Sequence, residues 1–348
     1  MLSHLTMVTP RVGWALVGSG PYEMGSVHVH AVVRTSDGGR TWRVVSPAGV
    51  QSRWEYSFGA GGTAWAWLEV EAGSSAVVLT TTDGGSTWTA RSSAGHGSVF
   101  GSLQFLDPLQ GWLTQLAPGG MGSSAVWLLA TGDAGRHWHM RMYRTGDPGG
   151  STSGALPFGC FKLITFVTPS RAFAGGECHG GPPFLYLSTD GGRRWRARRL
   201  PFAPHNCDCD TSPPVFFSRR GGYLTSGRLD KRQRVYLTDN AGRSWRLLPV
   251  AAANPMGVEG TQVVSFPDAR HGWAITGGVA ISRTVDGGRT WQRLPTPFDA
   301  ARATIQFVSA RAGFATVGYA GRGQLWATED GGRTWRRLGP SIRPHPAA

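Results

Sequence analysis

Thr284-Val-Asp-Gly-Gly-Arg-Thr-Trp291 is built for one tight turn, and the same octapeptide recurs six more times along the chain. The other copies are Thr35-Ser-Asp-Gly-Gly-Arg-Thr-Trp42, Thr81-Thr-Asp-Gly-Gly-Ser-Thr-Trp88, Thr131-Gly-Asp-Ala-Gly-Arg-His-Trp138, Ser188-Thr-Asp-Gly-Gly-Arg-Arg-Trp195, Thr238-Asp-Asn-Ala-Gly-Arg-Ser-Trp245 and Thr328-Glu-Asp-Gly-Gly-Arg-Thr-Trp335. Glycine at the fifth position of every copy supplies the positive φ that such a turn needs. The third residue (Asp37, Asp83, Asp133, Asp190, Asn240, Asp286 or Asp330) can accept hydrogen bonds from the turn's own amides. The closing indole (Trp42, Trp88, Trp138, Trp195, Trp245, Trp291 or Trp335) can bury a large area between neighbouring sheets. All fourteen residues are therefore read as structural fasteners, because a catalytic group is needed once and this one is repeated.

Successive closing tryptophans lie 46, 50, 57, 50, 46 and 44 residues apart, a length that suits four short strands with their turns. Upstream of each octapeptide, two large apolar residues recur seven apart: Met7/Trp14, Phe58/Trp65, Phe105/Trp112, Phe166/Phe173, Phe216/Tyr223, Phe266/Trp273 and Phe307/Phe314. Polar and turn residues separate each pair, so the pair brackets a hairpin of strands A and B. A third strand, C, then leads into the octapeptide, and a fourth, D, leaves it. Four-stranded units that cannot bury their apolar faces alone must stack, and a ring closes the stack. The expected fold is all-β, a seven-bladed propeller with one octapeptide per blade at the C–D turn. The chain is expected to form a single domain over 1–348, with blades near 3–46, 54–92, 101–143, 160–200, 212–249, 261–294 and 303–338. Strand A of the first blade starts almost at Met1 and the last blade ends on its own strand D. No strand is then left to clasp the ring, and closure should rest on packing between the first and last blades.

The pattern S/T-x-D-x-G-x-T/S-W resembles the Asp-box, or BNR, repeat of sialidases, sortilin-type receptors, xyloglucan-cleaving endoglucanases and the photosystem II assembly-factor family. The Gly111-Trp112, Gly272-Trp273-Ala274 and Gly313-Phe314-Ala315 segments most resemble the assembly-factor-like family and its bacterial relatives. That resemblance implies a scaffold or assembly role, and it implies nothing catalytic by itself.

Composition agrees with a β architecture: 51 Gly, 22 Pro and 15 Trp in 348 residues, with only 16% charged, disfavour long helices. No apolar run reaches the roughly 18 residues of a membrane-spanning helix. Met1 to Pro10 carries neither the basic nor the apolar region of a signal peptide. The net charge is +14, and only Lys162 and Lys231 among 35 basic residues are lysine, a bias that genome composition can produce. Arg40, Arg136, Arg193, Arg243, Arg289 and Arg333 belong to the octapeptides and should ring one face. The basic surface favours an acidic partner: a protein, anionic lipid headgroups or a polyanionic polymer. It carries no aromatic-plus-basic motif for nucleic acid.

Length varies only in the B–C and D–A connections, Gly18 to His30, Met140 to Gly159, Gly176 to Phe184 and Pro201 to Pro214. Binding loops on a rigid scaffold cluster in this way, which makes that face the expected contact surface. Its candidate binding residues are Arg141, Arg144, Glu177, His179, His205, Asp208, Asp210, Arg228, Lys231 and Arg232. Cys160, Cys178, Cys207 and Cys209 fall there too. A bridge within Cys207-Asp-Cys209 would be strained. Two disulfides would instead join Cys207 and Cys209 to Cys160 and Cys178, in an order the sequence leaves open, and would indicate an oxidising compartment. A metal site of Cys178, His179, His205, Cys207 and Cys209 matches no defensible zinc spacing, so no metal and no cofactor is expected. A glycosidase would need a carboxylate pair, for which Glu177 with Asp208 or Asp210 is the alternative reading. The expectation is a monomeric, non-catalytic binding propeller. It is extracytoplasmic if an export segment lies upstream of this chain and cytoplasmic otherwise.

Overall fold

In a computed structural model the described residues are 2–19, 28–47, 54–59, 62–69, 76–93, 100–117, 125–144, 156, 161–177, 184–201, 210–227, 232–253, 263–319 and 322–343. They form seven antiparallel sheets, one per octapeptide, and thus a seven-bladed β-propeller. Blade 1 is β1 (Leu2–Met7), β2 (Gly13–Ser19), β3 (His28–Thr35) and β4 (Thr41–Val44). Blade 2 is β5 (Trp54–Phe58), β6 (Ala64–Glu69), β7 (Ala76–Thr81) and β8 (Thr89–Ser93). Blade 3 is β9 (Phe100–Phe105), β10 (Gly111–Ala117), β11 (Ala125–Thr131) and β12 (His139–Arg144), and blade 4 is β13 (Phe161–Phe166), β14 (Ala172–Glu177), β15 (Phe184–Ser188) and β16 (Arg196–Arg198). Blade 5 has a split first strand, β17 (Asp210–Thr211) and β18 (Val215–Phe216), followed by β19 (Gly222–Gly227), β20 (Arg232–Thr238) and β21 (Arg246–Ala253). Blade 6 is β22 (Val264–Ser265), β23 (Gly272–Thr276), β24 (Ala280–Thr284) and β25 (Gln292–Leu294). Blade 7 is β26 (Ala303–Phe307), β27 (Gly313–Tyr319), β28 (Arg322–Thr328) and β29 (Arg336–Leu338).

The spacing-of-seven pairs do bracket the A–B hairpins, but their side chains meet the neighbouring blade. Trp65 of blade 2 stacks on Phe105 of blade 3 with ring centroids 4.1 Å apart, Trp112 on Phe166 at 4.1 Å, and Trp273 on Phe307 at 3.7 Å. Trp14 with Phe58, Phe173 with Phe216 and Tyr223 with Phe266 continue the series. Phe314 and Met7 complete it in the cluster between blades 7 and 1. The octapeptide Trp of the second blade then meets the pair edge-on, as Trp138 meets Phe105 and Trp335 meets Phe307. Each seam is thus a small aromatic core, and seven seams replace one central core. The glycine that opens strand B follows from this packing. A Cβ on Gly111, Gly272 or Gly313 would overlap the Phe ring that ends strand A of its own blade.

Side-chain amides also stitch the innermost strands together. Gln104 accepts from the Phe166 N–H (2.7 Å) and donates to its carbonyl (2.9 Å), and Gln306 does the same at Met7 (2.7 and 3.1 Å). Ser57 and Ser265 accept from the N–H groups of Phe105 and Phe307 at 2.9 and 2.8 Å.

Ring closure departs from the expectation that packing alone would hold it. After β29 the chain forms one more strand, β30 (Ser341–Arg343), which pairs in parallel with β4 on the outer edge of blade 1. The sequence around Ile342 lacks the alternation of a strand, because all three residues of β30 are exposed and only the backbone pairs. The connections called variable are also shorter than the sequence suggested: β2 reaches Ser19, β12 reaches Arg144, β14 reaches Glu177, and Asp210–Thr211 already pairs with β19.

Both the fourth and fifth octapeptide residues take positive φ, and in two copies the fourth is alanine: Ala134 at 63° and Ala241 at 61°. A left-handed L-residue costs about 1–2 kcal/mol, against about 0.5–1 kcal/mol for the extra freedom glycine loses on folding. Ala134→Gly should therefore raise stability by up to about 1 kcal/mol, read as a higher denaturation midpoint.

Candidate functional site

The octapeptides are consumed by their own turns. In blade 1 the Thr35 hydroxyl donates to Asp37 Oδ1 (2.9 Å) and accepts from the Gly39 N–H (3.0 Å). The Arg40 and Thr41 amides donate to Asp37 Oδ1 (3.0 and 2.9 Å), and the Thr41 hydroxyl donates to Oδ2 (2.6 Å). Asn240 repeats the pattern in blade 5 by accepting from Ser244 N and donating to its hydroxyl. Burial works to raise the Asp37 pKa, but the hydrogen bonds from Thr41 outweigh it and hold it at about 2. In the same way Asp330, bonded by Thr334, lies at about 2. Hydrogen bonds from Thr87, His137 and Thr290 hold Asp83, Asp133 and Asp286 below the ordinary carboxylate range, and Asp190 is lowered too. None of these is a proton donor near neutral pH.

A carboxylate whose pKa is depressed by folding stabilises the fold above its unfolded value of about 3.9, and that stability is lost as the pH falls through the folded value. Stability should therefore hold steady from neutral pH down to about 4 and then fall steeply toward pH 2. The blade 5 turn, with Asn240, should contribute nothing to the drop. Denaturation midpoints measured from pH 7 to 2 check this, and Asp286→Asn should flatten the slope.

The octapeptide arginines are exposed, as expected, yet four have a local task. Arg40, Arg193, Arg289 and Arg333 each donate through Nη1 to the carbonyl of their own turn's Asp, at 2.9–3.3 Å. In the A–B turns, Asp107 accepts from the Leu109 and Gln110 amides, both at 2.8 Å. Asp268 accepts from the amides of Arg270 (2.7 Å) and His271 (2.8 Å).

Of the residues proposed for the variable face, the described ones lie at strand ends. Arg141 and Arg144 sit on β12, with Arg141 half-buried. Glu177 ends β14, Asp210 opens β17 and is half-buried, and Arg232 opens β20. Strands β14 and β17 adjoin across the seam between blades 4 and 5, where Thr211 O lies against Gly175. This brings the backbone positions of Glu177 and Asp210 to the same edge. His179, His205, Asp208, Arg228, Lys231, Cys160, Cys178, Cys207 and Cys209 lie outside the described residues.

Among the described residues, a concave, largely apolar surface lies on the other face, at the A–B turns of blades 3 to 5. Gln104, Leu106, Thr165, Phe166, Val167, Pro214, Val215, Phe216, Phe217, Ser218 and Arg219 line it. Its origin is the split first strand of blade 5. Neither Pro213 nor Pro214 can donate to a ladder, so bonding to β19 runs through Ser212, whose N–H reaches the Thr225 carbonyl at 2.9 Å, breaks at the two prolines and resumes at Val215. Val215 is left 45% exposed beside Leu106 at 37%, with Leu109 at 54% in the same turn as Leu106. Pro213 and Pro214 fall within the connection expected from Pro201 to Pro214, and paired prolines between two strand-forming segments are the signal for the break.

No protein-family model matches the chain, and no curated protein matches it. Solved structures do share its fold. YCF48 bound to D1 peptide superposes with a TM-score of 0.56 at 18% identity, covering 94% of this chain and 91% of that one. YCF48 from Cyanidioschyzon merolae gives 0.54 at 20% identity, covering 94% and 98%. A PL25 ulvan lyase bound to -[GlcA(1-4)Rha3S]- gives 0.57 at 10% identity, covering 95% and 92%. At these identities the chain shares a propeller fold with a peptide-binding protein and with a polysaccharide lyase, and the fold is what the likeness shows.

Proposed function

We propose that this propeller is a non-catalytic, assembly-factor-like scaffold that binds an extended protein segment carrying apolar side chains and negative charge. The observation that carries this reading is the opening at blades 3 to 5, where Leu106, Val215 and Phe217 offer apolar surface beside Arg219 and no acid among the described residues lines it. The net charge of +14 complements an acidic segment. Support by likeness comes from YCF48, a photosystem II assembly factor, one structure of which holds a D1 peptide. The variable face, with Arg141, Arg144 and Arg232, is the second surface such a partner could reach, and an acidic polymer is the second class of occupant its charge suits.

The test is fluorescence anisotropy with a panel of labelled acidic, leucine-rich peptides. Val215→Asp should weaken binding tenfold or more, about 1.4 kcal/mol, while Arg141→Ala leaves it unchanged. The reverse pattern would move the site to the variable face, and no binding by any peptide would remove the reading.

A glycan-cleaving activity is the competing function, favoured by the shared edge of Glu177 and Asp210. Turnover on a glycan panel that disappears in Glu177→Gln would replace the scaffold reading. The proposal includes an extracytoplasmic setting and a monomeric state. It draws for the first on the clustered cysteines, so four reactive thiols in protein isolated from its host would oppose it.

A further inference from the structure

The clasp strand does more than add a backbone ladder, because it completes a row of three arginines. Arg34 on β3 pairs with Arg43 on β4, and Arg43 pairs with Arg343 on β30, each directly in register. Like charges opposite one another on adjacent strands are destabilising. Here three stand side by side around one hollow lined by Arg34, Thr35, Ser36, Thr41, Trp42, Arg43 and Arg343. No described acid lines it. The nearest carboxylate in sequence, Asp37, is engaged by Thr35, Arg40 and Thr41.

Two of the arginines are held in place. Arg34 is half-buried, its guanidinium lies 5.5 Å from the Trp14 ring centroid, and it packs against Gly84 of the next blade's octapeptide. Burial, and then the charge of Arg43, lower its pKa. Arg43 donates through Nη2 to the Ser86 hydroxyl at 3.1 Å, which fixes its reach across the seam. Arg343 comes from the exposed clasp and closes the third side. Ser36 also lines the hollow, while the Thr41 hydroxyl is already given to Asp37 Oδ2.

We propose that this hollow is an oxyanion site for a phosphate-type group, with Arg34, Arg43 and Arg343 as its ligands. A tetrahedral dianion offers enough acceptor oxygens for three guanidiniums and relieves their mutual repulsion. The site is separate from the A–B opening and stands whether or not that opening binds a peptide. Because one ligand sits on β30 and two on blade 1, an occupied site ties the clasp to the ring. Anion binding and ring closure are then thermodynamically linked.

The experiment is thermal unfolding of the full chain in inorganic phosphate at constant ionic strength, with chloride as the balancing anion. The expected result is a melting temperature that rises with phosphate, on the order of 2 °C at saturation. Arg343→Ala should abolish the rise, and Arg343→Lys should keep part of it. Arg336→Ala, an exposed arginine on β29, should leave it unchanged. A second arm uses phosphatidylcholine vesicles with and without phosphatidic acid. Capture only by the acidic vesicles, lost in Arg343→Ala, would assign the group to a lipid headgroup rather than a free anion. A melting temperature indifferent to phosphate together with no vesicle capture would overturn the site, as would an Arg343→Ala protein that responds like the parent.

Discussion

Replacing Trp273 by alanine should cost about 3–5 kcal/mol, a large share of the roughly 5–15 kcal/mol that holds a typical domain folded. The indole is fully buried, lies parallel to the Phe307 ring with centroids 3.7 Å apart, and donates from Nε1 to the Gly331 carbonyl at 2.9 Å. The guanidinium of Arg283 stands 5.7 Å from its centroid on a mostly buried side chain. Truncation therefore empties a seam, strands the Gly331 carbonyl and removes the surface that supports Arg283. Chemical denaturation of Trp273→Ala beside Trp273→Phe separates these effects. The phenylalanine variant keeps the stack but loses the hydrogen bond, and should fall about 1–2 kcal/mol below the parent. A Trp273→Ala protein within 1 kcal/mol of the parent would mean that the seams are not where the stability lies.

Gly242→Val should be comparably severe, for a different reason. Gly242 has φ of 74°, a region that β-branched residues almost never occupy. Any Cβ there would overlap the ring of Phe173, which is fully buried in blade 4. The left-handed strain of about 1–2 kcal/mol and the overpacking of about 1–3 kcal/mol add to roughly 2–5 kcal/mol. Gly242→Ala keeps most of the overlap without the branching, and should cost less. Comparing the two variants by circular dichroism melts tests whether the turn or the seam is the stricter constraint.

Both positions show what was legible in the chain and what was not. The octapeptide announced its own turn chemistry, because Asp, Gly and hydroxyl residues at fixed offsets have few other reasons to recur. The number of blades followed from counting it. The partner of each aromatic was hidden, since a spacing of seven within one hairpin does not say that Trp65 leans on Phe105, forty residues away. In the sequence the fifth-position glycine shows only its backbone requirement. It is equally a steric one, because the preceding blade presses on it: Val45 on Gly85, Leu128 on Gly192 and Leu248 on Gly288.

The binding surface was the least legible part. Loop length drew attention to Glu177, Asp210 and their neighbours, because sequence shows length variation directly. The opening at blades 3 to 5 depends on the failure of a ladder at Pro213 and Pro214, which leaves Val215 facing solvent. It also depends on three A–B turns from separate blades converging, which no local pattern records. The clasp was missed for a related reason: a strand that buries no side chain leaves no hydrophobic signature.

The parallel pairing of β30 with β4 changes how the molecule can come apart. A linear array of repeats frays from its ends, each terminal unit having one neighbour to lose. Here the C-terminal segment is sewn to the first blade, and Gln306 grips Met7 from the inside of the same seam. The array has no terminus in the mechanical sense, only a seam with a latch. Once that latch and the Gln306–Met7 bonds both give way, blades 1 and 7 become ordinary ends and peeling can run in both directions around the circle. A three-residue strand on the rim thereby helps decide whether the ring yields as a whole or unzips.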